Sequence, residues 1–258
     1  MNSYVLKDAS FNITGTTLIN ADNKTLQNSE ANSNAGGLVA LGFNKATVIS
    51  GTVTHAYIEG NVTITGGSLD ISATGVDNNN AYVKAGSGGL VAGSASNGKT
   101  TNNSTTQVDI ATGAGTKIDV GGNFKVKAEH NTLFRADSDS ITAALVGGSG
   151  ANVSNNVTSD LNIVFGPGVD VNAGAIDVDA NNIITKVSDG YNVIAGAGGL
   201  AGGPAASSVT TIVDRTKIIV KDGADIKVSG DRHHPGAMTF DSKNMLYATD
   251  KVKLDSGG

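Results

Sequence analysis

Histidines carry the most versatile chemistry in this sequence: His55, His130, His233 and His234. Two of them are adjacent, in the run Gly230-Asp-Arg-His-His-Pro-Gly236. Imidazole and carboxylate together suit a transition metal, so Asp231, His233 and His234 are the set an ion would take. Adjacent rings rarely converge on one ion without further ligands, so a solvated loop is the preferred reading. Asp231, Arg232, His233 and His234 are then an exposed contact loop, since loops carry function more often than cores. The carboxylates Asp70, Asp119, Asp170, Asp177, Asp179 and Asp225 recur on one side of alternating segments. They are interrupted by Lys125, Lys127, Asn172, Lys227 and Thr239, so no repeated acidic groove results. Asp137-Ser-Asp139 and Asp177-Val-Asp179 would offer calcium only part of the roughly six to eight oxygens it needs. Gly86-Ser87-Gly88 and Gly148-Ser149-Gly150 lack the Gly-x-Ser-x-Gly nucleophile elbow. Gly196-Ala-Gly-Gly199 looks like a phosphate loop only in isolation, and it recurs with a structural repeat. No catalytic residue, no cofactor-binding residue and no metal ligand is therefore expected. Asn131, Asn182 and Asn244 follow one repeated strand at matching places, which makes them candidates for an internal ladder of stacked amides.

The elements that position these residues come from an internal repeat of about 53 residues. One marker is a small apolar step: Gly36-Gly-Leu38-Val-Ala, Gly88-Gly-Leu90-Val-Ala, Ala144-Leu145-Val-Gly and Gly198-Gly-Leu200-Ala-Gly. Its leucines are 52, 55 and 55 residues apart. A second runs Gly67-Ser-Leu69-Asp-Ile71, Gly122-Asn-Phe124-Lys-Val126, Gly174-Ala-Ile176-Asp-Val178 and Gly236-Ala-Met238-Thr-Phe240, with spacings of 55, 52 and 62. The last spacing implies an inserted loop near His233. A third marker starts at Gly60, Gly115, Gly168 and Gly223, at spacings of 55, 53 and 55.

Between markers, apolar and polar residues alternate over four to six positions, the signature of a strand with one face inward. Clusters such as Asp77-Asn-Asn-Asn80, Asn97-Gly98, Asn102-Asn103, Asn155-Asn156 and Asp189-Gly190 read as turns. Composition excludes other classes. With 35 Gly and no Trp or Cys, the chain is neither a helical bundle nor a disulfide scaffold, and it has no thiolate metal site. Its 39% hydrophobic content and net charge of −5 argue against disorder and against nucleic acid as a partner. No run approaches the ~18 apolar residues of a transmembrane helix, so no transmembrane segment is expected.

Short parallel strands stacked by winding satisfy all of this. The expected fold is all-β, a right-handed parallel β-helix (β-solenoid) built from ~53-residue repeats, with residues 1–258 as one unit cut from a longer repeat protein. Coils of roughly 18–27 residues, two or three per repeat, would make a rod on the order of 45–70 Å long.

The Gly-Gly-Leu-Val-Ala steps, the Val-x-Ile/Val-x-Ala strands and the turn Ala56-Tyr57-Ile58-Glu59-Gly60 resemble the repeat region of leukotoxin-type filamentous adhesins. These are large bacterial surface exoproteins related to filamentous haemagglutinin. The resemblance spans about Phe11 to Leu254. It implies a secreted or cell-surface location, export through an outer-membrane two-partner transporter, and adhesion to a host-cell or bacterial surface receptor. No Asn-Pro-Asn-Gly-type secretion motif occurs, so the segment reads as shaft. The alternatives are a polysaccharide-active β-helix enzyme (a lyase or hydrolase) and a phage tail-spike-like fibre segment. Against the enzyme, Arg135, Arg215 and Arg232 fall on unrelated repeat positions and aromatics are few.

Overall fold

The computed structural model describes residues 1–230 and 236–257. The predicted contact loop Asp231, Arg232, His233 and His234 lies outside the described residues. The chain is all-β, with no helix among the described residues. Its strands are β1 (Asn2–Val5), β2 (Ser10–Ser50), β3 (Val53–Ile58), β4 (Thr63–Ile110), β5 (Lys117–Phe165), β6 (Asp170–Lys186), β7 (Val193–Gly198), β8 (Ala201–Val220), β9 (Asp225–Val228), β10 (Met238–Tyr247) and β11 (Val252–Gly257). They form one sheet in which every pairing is parallel.

The register restates the sequence repeat. Leu69 of β4 pairs with Phe124 of β5, which pairs with Ile176 of β6, which pairs with Met238 of β10. Val39, Val91, Val146 and Ala201 form a second column. Each pass of about 53 residues therefore lies directly on the one before. The expected coil of 18–27 residues is overturned: one pass takes up the whole repeat. Five passes at ~4.8 Å spacing make a stack on the order of 20 Å high, well short of the expected rod.

The longer pass has a physical cause. Most of the clusters read as turns lie inside strands, with alternate polar side chains pointing inward to one another. Asn79 Nδ2 donates to Asn102 Oδ1 at 3.2 Å across the pass, and Ser104 donates to Asp77. Only Asp189-Gly190 among those clusters leaves the strand conformation. Each complete pass is thus two facing arms joined by a bend at the leucine step. At that bend the backbones of successive passes touch: a Cβ on Gly89 would fall on the Gly37 carbonyl oxygen.

At the opposite end, one turn position is left-handed in every pass: Asp8 (φ 65°), Asn61 (57°), Gly115 (86°), Gly168 (64°) and Gly223 (75°). Only Gly, Asn and Asp occupy it, the residue types that tolerate this conformation. In the pass that begins near Gly60, the position falls on Asn61, one residue past the marker glycine.

The interior is zoned. Near the left-handed turns, Ile64, Leu69, Ile71, Ile110, Phe124, Phe165 and Val178 form the main apolar core. Phe124 and Phe165 meet edge to face with centroids 6.4 Å apart. A smaller core of Val48, Val83, Ala136 and Val153 lies nearer the bend. Between the two runs a buried polar seam.

Candidate functional site

The seam centres on Asp77 and His130, both fully buried. Asp77 accepts hydrogen bonds from Thr25 (2.5 Å), Thr52 (3.1 Å) and Ser104. His130 Nε2 lies 3.2 Å from Asp77 Oδ2, off the line of a hydrogen bond, and its Nδ1 is 2.8 Å from Thr106 Oγ1. Burial on its own would raise the carboxyl's affinity for a proton. Polar contacts with His130, Ser104 and Thr25 outweigh it and hold the Asp77 pKa down to about 2. This carboxylate and imidazole resemble half of a catalytic set, but both face neighbouring passes within the closed interior. What the arrangement does is surround the Asp77 carboxylate with hydroxyl donors where apolar packing stops, leaving His130 Nε2 without a hydrogen bond.

The predicted amide ladder needs correction. Asn182 and Asn244 do share a column, but the residue paired with Asn182 in the pass before is His130, not Asn131. Asn131 pairs with Ile183, one position along, so it belongs to the opposite face of the strand. Asn182 spends its amide on Asp214 (2.6 Å) and the Ser159 carbonyl, and Asn244 accepts from Thr216. Among the described bonds, these asparagines make none to one another. A one-residue slip moves a side chain across the sheet, and spacing alone gave no reason to choose between Asn131 and its neighbour.

The recurring carboxylates point outward. Asp70, Lys125 and Asp177 stand in one column, so opposite charges alternate from pass to pass. Asn172 Nδ2 donates to Asp119 Oδ1 at 3.0 Å. Of the proposed calcium pairs, Asp137 lies on the outer face but is buried there, where Arg135 and Asn192 (3.2 Å) donate to it. Asp177 and Asp179 border an outer depression with Lys125 and Lys127. Among the described residues, no three His, Asp or Glu side chains come together as ligands for a metal. Arg135 reaches Asp189 (2.8 Å) and Arg215 reaches Asp160 (3.0 Å), each linking adjacent passes.

The leucine step turned out to be an external feature. Leu38, Leu90, Leu145 and Leu200 drop out of the strand ladder and are 74%, 50%, 47% and 87% exposed. With Val39, Val91 and Val146, also exposed, they make an uncharged apolar ridge running across the passes. Beside it is a groove of ≈ 600 Å³ lined by Phe43, Ala95, Gly150 and Ala205, with Lys45 and Asn97 on its rim. Sequence reading took these leucines as packing markers. The available signal was that they interrupt the alternation instead of continuing it.

No protein-family model matches the chain, and no curated protein or solved structure matches it either.

Proposed function

We propose that this chain is a structural and adhesive segment of a large secreted bacterial surface protein, wound as a right-handed parallel β-solenoid. It carries no active site and acts by presenting its outer faces to a receptor on host or neighbouring cells. The parallel column makes length simple to add, because each pass buries its apolar edge on the last. In this reading the full-length protein reaches the surface through an outer-membrane two-partner transporter.

The observation that carries the adhesive reading is the ridge of Leu38, Leu90, Leu145 and Leu200, exposed on every complete bend. Contiguous exposed apolar surface of this kind marks a contact site, because a purely passive spacer gains nothing from it. Support also comes from the sequestered interior, in which Asp77 and His130 are buried away from solvent. The test is binding of the purified chain to epithelial and bacterial cells, beside a panel of polysaccharides assayed for cleavage. Saturable cell binding without cleavage is the expected result. Polysaccharide turnover without cell binding would replace this reading with the enzymatic one.

A further inference from the structure

The leucine ridge and the groove beside it share one outer face of the same passes. Along β4 that face steps down from Val91 to bare backbone at Gly93 and then to the methyl group of Ala95. Val146, Gly148 and Gly150 lie over these in register, and Ala201, Gly203 and Ala205 follow in the next pass. In the first pass the two floor positions carry Leu41 and Phe43, and Phe43 borders the groove at that end. A Cβ added at Gly150 or Gly203 would meet nothing within 4 Å, so the floor is open to a side chain from outside. Of the described residues that line the groove, Lys45 alone is charged. No chain end bares the ridge: Leu90 and Leu145 belong to passes covered on both sides and are still about half exposed.

We propose that ridge and groove are a self-association site, in which the ridge of one copy of this chain seats in the groove of a second. The inference rests on the adhesive reading above and names its partner, another copy on the same or a neighbouring cell. Three properties of the face select that occupant. The first is period. Ridge and floor each repeat once per pass, at ~4.8 Å, so a second copy brings its leucines at the spacing of the floor. A partner of another fold would have to supply such a row. The second is symmetry. Ridge and groove lie side by side, so a two-fold axis parallel to the stack sets each copy's ridge over the other's groove, with equivalent passes at one height. Such a contact is isologous and closes at two copies. The third is area. The exposed parts of the four leucines with Val39, Val91 and Val146 come to on the order of 800 Å², about what each partner buries in a stable complex. That exceeds the roughly 300–600 Å² of the largest apolar patch on a typical monomer. Neither the ridge nor the glycine and alanine floor carries any of the net charge of −5, so like charge does not oppose the contact.

The experiment is sedimentation equilibrium of the purified chain beside Leu145→Asp and Gly150→Val variants. Leu145→Asp puts a carboxylate into the apolar contact. Gly150→Val fills the floor, and at concentrations where the parent is monomeric it should unfold no more easily than the parent, because the position is open and a branched side chain suits a strand. A loss of association in this variant is therefore not a loss of fold. The expected result is a parent dimer with Kd in the micromolar range or tighter, raised roughly tenfold or more by each variant. A monomeric parent overturns the proposal. So does association that either variant leaves unchanged, as end-to-end pairing of strand edges would be. Cell binding, measured on the same preparations below the dimer's Kd, separates the two claims. A monomeric parent that binds cells sinks self-association and leaves the adhesive reading standing, with a different receptor on the ridge. A dimer weakened by both variants, in a chain that binds no cell, does the reverse.

Discussion

Replacing Asp77 by Asn keeps the shape of the seam and removes its charge. The folded carboxyl titrates at about 2 against an ordinary value of 3.8. At about 1.4 kcal/mol per tenfold change in proton affinity, that drop corresponds to about 2 kcal/mol of stability. The sign follows from the direction of the drop. A carboxyl whose folded pKa is depressed stabilises the fold at pH values above 3.8 and loses that contribution as pH falls toward 2. About half of it is gone by pH 3. Asp77→Asn is therefore expected to unfold about 2 kcal/mol more easily than the parent at pH 7, with the gap closing to about half of that at pH 3. Urea unfolding of both chains at pH 7, 4 and 3 reads this directly. Titrating groups out of contact with Asp77 are common to both proteins and cancel in the difference, and measuring at pH 4 and 3 keeps the neighbouring His130 below its ordinary titration range. A gap that stays constant over that range would show that the folded carboxyl is not depressed, and a variant at least as stable as the parent at pH 7 would show that the seam holds this carboxylate at a net cost.

Three further perturbations probe the other zones. Gly168 adopts φ 64° with nothing closer to an added Cβ than Ala114 Cβ at 4.0 Å, so Gly168→Ala should cost about 1–2 kcal/mol through backbone conformation alone. Gly168→Asn should cost less, and thermal unfolding of the pair checks the order. Phe124→Ala, in the centre of the main core, should lose about 3–5 kcal/mol in denaturant titration. Leu145→Asp, on the exposed ridge, should change stability by less than about 0.5 kcal/mol while abolishing cell binding, measured on immobilised cells.

The sequence made the register legible to a surprising depth. The 52- to 55-residue marker spacings are the pairing offsets of the sheet, because a parallel in-register stack puts equivalent side chains on top of one another. The long spacing before Met238 also returns as an offset of 62 between Ile176 and Met238. What was not legible is how much chain one pass consumes. Asp77, Asn79 and Asn102 carry side chains typical of turns, and local propensity cannot tell a turn from a strand whose polar side chains bond across the interior. The same ambiguity hid Asp77 and His130, which meet only when passes are stacked.

The central claim, one pass per repeat, can be tested with paired nitroxide labels, since the chain has no cysteine of its own. Ser72 and Lys127 are direct neighbours across adjacent passes, whereas Lys99 belongs to the other arm. Cysteines at Ser72 and Lys127 should give strongly dipole-broadened spectra, and cysteines at Ser72 and Lys99 narrow ones. Broadening in the second pair and not the first would mean that the chain winds in coils of about half the proposed length, contradicting the account.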